Sequence, residues 1–107
     1  MAKVSKNRVN ETKVAEAVLE VLAASPNGKA PIASIVKAVP KYLKLSDEDC
    51  APSPTRKNEQ MWEQQVRNIT SHKGSPGNYI HEGFLSSVKG GLQITDIGLE
   101  RLKRRKR

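Results

Sequence analysis

The sequence predicts a mostly α-helical domain that carries one small antiparallel β-hairpin. Three observations point to it. Apolar residues recur at helical spacing in several separate stretches, Pro and Gly clusters punctuate them, and two strand-sized apolar runs flank a Lys-Gly-Gly turn near the C-terminus. The chain has 107 residues, of which 36% are hydrophobic and 28% charged, with one Trp, two Tyr and one Phe. That balance fits one globular domain with a modest core and excludes both a disordered tail and a large pocketed enzyme.

Residues 10–24 form the first helix: Asn10 is a good cap, Glu11 suits the positive end of the dipole, and Val14, Ala15, Val18, Val21 and Leu22 share one face. Lys13, Glu16 and Glu20 point away from that face. Pro26, Asn27 and Gly28 stop the helix in a turn, and Lys29 to Pro31 can add a short strand. Ile32, Ile35, Val36 and Val39 then make a short buried face that Pro40 ends. In the stretch 40–57, Ser46 can cap a turn through Asp49 before the loop "APSP". The third helix is expected over 58–73, with Trp62, Val66 and Ile69 inward and Gln60, Gln64, Arg67, Asn68 and Ser71 on the opposite face. Strands at 84–88 and 92–94 pair through the turn Lys89-Gly90-Gly91, and Thr95 caps a closing helix that buries Leu99 and Leu102. Gly98, in the first turn of that helix, costs about 1 kcal/mol of helix propensity, which implies that the turn packs too closely on another backbone to admit a Cβ.

In this order the elements read as a winged helix-turn-helix, residues 10–102, between a basic arm at 1–9 and a cationic tail at 103–107. Two segments, "MWEQQVRN" at 61–68 and "GFLSSVKGGLQITDIGLERL" at 83–102, resemble the N-terminal winged-helix domain of Mrr-type restriction proteins. Trp62, Val66, Arg67, Gly83, Leu92, Thr95 and Gly98 fall on that family's pattern, whereas "GSPGNYIHEG" is longer than its usual passage from third helix to wing. The resemblance implies DNA binding. It carries no cleavage activity, because these residues include nothing like the family's nuclease domain.

Nineteen Lys and Arg against eleven Asp and Glu give a formal charge of +8, which independently favours a polyanion as partner over the alternative of a merely solubilising surface. Double-stranded DNA is therefore the expected partner. In a major groove Gln pairs with adenine and Arg with guanine, so Gln60, Gln64, Arg67, Asn68 and Ser71 are candidates for base or phosphate contact, Arg67 first. Lys89 at the hairpin tip, Arg101, Lys103, Arg104 and Arg105, with Lys106 and Arg107 beyond them, are candidates for phosphate contact. Lys3, Lys6 and Arg8 of the arm are weighed in the same way. Glu59 and Glu63 stand at the shoulder of the reading face and oppose deep insertion of its first turn. The competing reading is a protein-interaction module with an apolar patch made from Tyr42, Leu43, Leu45, Tyr79 and Phe84.

Other chemistry finds no constellation. Trp62 shares a stripe with Val66 and Ile69 and belongs to the core rather than to a stacking platform. His72, His81 and Cys50 lack metal-ligand spacing, no catalytic group or cofactor motif stands out, and the chain is not expected to be an enzyme. The lone Cys50 and the lack of a signal-peptide pattern predict a cytoplasmic location, and no apolar run is long enough for a membrane.

Overall fold

The structure, a computed structural model, describes residues 10–47, 49–52 and 59–105, with only the backbone of Arg105. The arm at 1–9, Asn58, Lys106 and Arg107 lie outside the described residues. The chain folds as a mixed α/β unit with α1 (Glu11–Ala23), β1 (Lys29–Pro31), α2 (Ile32–Ala38), α3 (Met61–Ser71), β2 (Leu85–Val88), β3 (Gly91–Ile94) and α4 (Asp96–Arg105). The antiparallel sheet has the order β1-β3-β2, so the expected two-stranded hairpin is completed by a third strand. Ala30 pairs with Leu92 and Pro31 with Gly91. Proline is tolerated there because β1 is an edge strand. Gly91 belongs to β3 rather than to the turn, and a Cβ on it would lie 2.1 Å from the Ala30 carbonyl oxygen.

Helix α1 is the central pillar. The Asn10 side-chain oxygen accepts from the Lys13 N–H at 2.8 Å, as a cap should. Beyond the expected Val14, Ala15, Val18, Val21 and Leu22, Ala17 and Leu19 are also buried, because α2, α3, α4 and the sheet surround the helix. Each fully buried Val or Leu contributes about 1.5–3 kcal/mol of apolar transfer. Glu16 corrects the expectation of an outward-pointing carboxylate: it turns toward Tyr79 and Arg101 and is largely buried between them.

The chain turns at Pro26–Gly28, where Asn27 adopts φ 57°, and enters α2, which buries Ile35 and brings Val39 into the core just before Pro40. Ser46 and Asp49 then close a turn reciprocally. The Ser46 N–H and hydroxyl donate to the Asp49 carboxylate at 2.9 and 3.1 Å, and the Asp49 N–H donates to the Ser46 hydroxyl at 3.2 Å. The carbonyls of Asp49 and Ala51 accept from the N–H groups of Trp62 and Met61 at 3.0 and 2.8 Å, so this loop satisfies donors that the start of α3 leaves open.

Between α3 and β2 the long passage at 72–84 is a chain of turns pinned by buried Asn78. Its amide donates to the Ile69 carbonyl and to Glu11, both at 2.9 Å, and its oxygen accepts from the N–H groups of Ile80 and His81. Thr95 opens α4 as expected, accepting from the Gly98 N–H at 2.9 Å while its hydroxyl donates to the Gly83 carbonyl. A Cβ on Gly98 would meet the Phe84 carbonyl oxygen at 2.2 Å, the close backbone approach that the sequence implied. This contact turns Gly98 and Leu102 inward. Leu99 lies about 60° round the helix from Leu102 and is 36% exposed, which corrects the expectation that it is buried.

Candidate nucleic-acid interface

Helix α3 buries Trp62, Val66 and Ile69, the predicted inward stripe. It begins at Met61 and ends at Ser71, shorter than the expected 58–73. Gln60 therefore precedes the helix: its N–H donates to the Glu63 carboxylate at 3.4 Å and its side-chain oxygen accepts from the Trp62 indole at 2.7 Å. That removes Gln60 from the outward face. Gln64, Arg67 and Asn68 are half-buried and Ser71 is exposed, so the available face lies toward the C-terminal half of the helix. Asn68 donates to the Gln65 side chain at 3.3 Å.

Arg67 is held by an acid that the sequence placed only at the shoulder. Its Nη2 lies 2.5 Å from the Glu59 carboxylate, with the two side chains 32% and 18% exposed. Its Nε is buried and has no acceptor among the described residues. The spacing of eight residues across a loop junction belongs to no helical pair, so only the folded path of the chain brings them together.

The hairpin tip presents Lys89 to solvent, and the adjoining Gly90 carbonyl accepts from the Ile32 N–H at 3.0 Å. This bond fixes the tip against the start of α2. Lys89 and Lys29 border a groove of about 620 Å³ that also involves Ser25, Asn27 and Ser34, and among the described residues no carboxylate lines it. Lys29 went unnoticed in the sequence because nothing local distinguishes it from any surface lysine; pairing of Lys29 with Gln93 in the sheet is what positions it.

Helix α4 divides the expected basic cluster. Arg101 turns inward: Nε contacts the Glu16 carboxylate at 2.7 Å, Nη2 donates to the Tyr79 hydroxyl at 3.0 Å, and the guanidinium lies 4.9 Å from the centre of the Phe84 ring. It thus serves as a structural cation that ties α4 to α1 and to the 72–84 passage. The Glu16 hydrogen bond holds Arg101 more firmly protonated than usual. Burial, reinforced by the bond to Glu16, pushes the Tyr79 phenol up to about 12. Lys103 and Arg104 are exposed, and because α4 continues to Arg105 they stand on a helix rather than on a separate tail. The Arg105 side chain lies outside the described residues.

Several acids are engaged within the fold, two of them by arginines. Glu11 engages His72 at 2.7 Å and Asn78, Glu16 engages Arg101 and Tyr79, Glu59 engages Arg67, and buried Asp49 engages Ser46. Glu82, exposed, is kept below the usual carboxylate range by the Gly77 N–H and then by His81. Exposed acids remain at Asp47, Asp96 and Glu100, but Lys13, Lys29, Lys37, Lys41, Lys44, Lys73, Lys89, Lys103 and Arg104 all face solvent. Apolar exposure does not form the patch expected from Tyr42, Leu43, Leu45, Tyr79 and Phe84. Tyr79 is buried and Leu43, Leu45 and Phe84 pack against the core, leaving Tyr42 exposed. Among the described residues no helix is long and apolar enough to cross a membrane. Compared with protein-family models, curated proteins and solved structures, the chain matches none.

Proposed function

We propose that the chain is a winged-helix protein, akin to the N-terminal domain of Mrr-type restriction proteins, that binds duplex DNA in the cytoplasm. The observation that carries this reading is the excess of solvent-facing cations: among the described residues nine Lys and Arg side chains are exposed against the exposed acids Asp47, Glu82, Asp96 and Glu100, so a polyanion meets a surface with net positive charge. The helix order and the β1-β3-β2 sheet support the winged-helix part of the reading. In it, Gln64, Arg67, Asn68 and Ser71 of α3 meet the groove, Lys29 and Lys89 meet the phosphates beside it, and Lys103 and Arg104 add charge.

The test is titration of a labelled random duplex at two salt concentrations, beside single-stranded DNA and RNA. Duplex binding is expected to be favoured and to weaken steeply with salt. The Lys29→Ala/Lys89→Ala pair should weaken binding to all sequences and flatten the log–log salt slope by about 1–2 units. Equal affinity for single strands, or a slope unmoved by the pair, refutes the reading. A second reading, a protein partner, is favoured by Ile97, 58% exposed, which with Phe84 and Arg104 borders a concavity of about 540 Å³. An Ile97→Ser change that alters self-association or partner capture while sparing duplex binding would support it.

A further inference from the structure

We infer that Arg67 is a base reader specific for guanine and that Glu59 is the positioning residue that makes it one. The inference rests on the proposed DNA-binding reading and deepens it. A phosphate is bound mainly by net positive charge, and Arg67 has little to offer: the Glu59 carboxylate sits 2.5 Å from Nη2 and cancels the guanidinium charge locally. Glu63, on the first turn of the same helix, adds a further carboxylate near this face. A phosphate approaching Arg67 therefore meets carboxylate repulsion beside a neutralised cation.

Guanine makes a different demand. Its O6 and N7 are neutral acceptors, bound by the direction of N–H groups rather than by net charge. An arginine carries five N–H donors in a rigid fork. In Arg67 one is taken by Glu59 and Nε is buried, so the remaining Nη hydrogens belong to a side chain that is 32% exposed and held in place by Glu59. Bracing lowers the rotamer entropy lost on binding. The pair is thus suited to edge recognition and poorly suited to phosphate.

The experiment starts from a duplex selected from a random library by the full chain. Binding of the selected duplex, and of versions with each guanine replaced by adenine, is measured against salt for the wild type, Arg67→Ala, Arg67→Lys and Glu59→Gln. The wild type should favour one guanine by about 5- to 150-fold. Arg67→Ala and Arg67→Lys should both lose that preference, with the salt slope unchanged in Arg67→Ala. Glu59→Gln, nearly isosteric, should reduce the preference while steepening the slope by about 0.9, because the freed guanidinium becomes a phosphate ligand.

Three results overturn the inference. They are an Arg67→Ala protein with a slope shallower by about 0.9 and its preference intact, a Glu59→Gln protein changed in neither quantity, and a selection that enriches no guanine. In each of these the wild type still binds duplex, so the DNA-binding reading survives. Failure of the wild type to bind any duplex removes both. Circular dichroism confirms folding, and Glu59→Gln decides the matter if Arg67→Ala does not fold.

Discussion

Arg101→Ala is expected to destabilise the fold rather than to remove a nucleic-acid contact. The substitution deletes a charged hydrogen bond to Glu16 at 2.7 Å and a bond to the Tyr79 hydroxyl at 3.0 Å. It also removes the guanidinium lying 4.9 and 5.3 Å from the Phe84 and Tyr79 ring centres. The first contact contributes about 1.5–3 kcal/mol and each ring about 0.5–1. Solvent screening lowers the total, because the Arg101 side chain is 40% exposed, but Glu16, at 14%, is left without its cation. A loss of about 2–3 kcal/mol results, equivalent to a melting point lower by about 10–15 °C in a domain of this size. Thermal unfolding followed by circular dichroism measures it. Glu16→Gln/Arg101→Ala should lose less than the two single changes combined, by about 1–2 kcal/mol. A single variant melting within about 2 °C of the wild type would show that the pair is a surface ornament and refute the reasoning.

The same cluster sets a pH limit. Tyr79 is raised to about 12 by burial first and Glu16 second, so the folded state binds its proton more tightly than the unfolded chain does. Its contribution is fully present below about pH 10 and is lost as pH rises toward 12. Unfolding titrations across that window should show a larger loss in the wild type than in the Tyr79→Phe control. Gly91→Ala and Gly98→Ala should each destabilise by about 1–3 kcal/mol, since the new Cβ would fall 2.1 Å from the Ala30 oxygen and 2.2 Å from the Phe84 oxygen. Gly74→Ala, with nothing within 4 Å, serves as the comparison, and equal melting of all three would contradict the packing described.

What the sequence determined by itself are the features carried by local periodicity and turn chemistry. The Asn10 cap, the inward stripe of Trp62, Val66 and Ile69, the turn at Lys89 and Gly90, and the Thr95 cap all depend on neighbours within a few residues. Gly98 was legible for a related reason: a poor helix former inside a helix signals a steric demand, and the Phe84 carbonyl makes it. Tertiary structure alone decided which charges face outward. Glu16 meets Arg101 across 85 residues, Glu11 meets His72 across 61, and Glu59 reaches Arg67 from a loop junction. No helical or strand period encodes such pairs, because a charged side chain on a solvated face and one aimed at a distant counterion share the same local pattern. The fold therefore tied Arg101 to Glu16, brought Lys29 beside Lys89, and gave Arg67 its acidic brace.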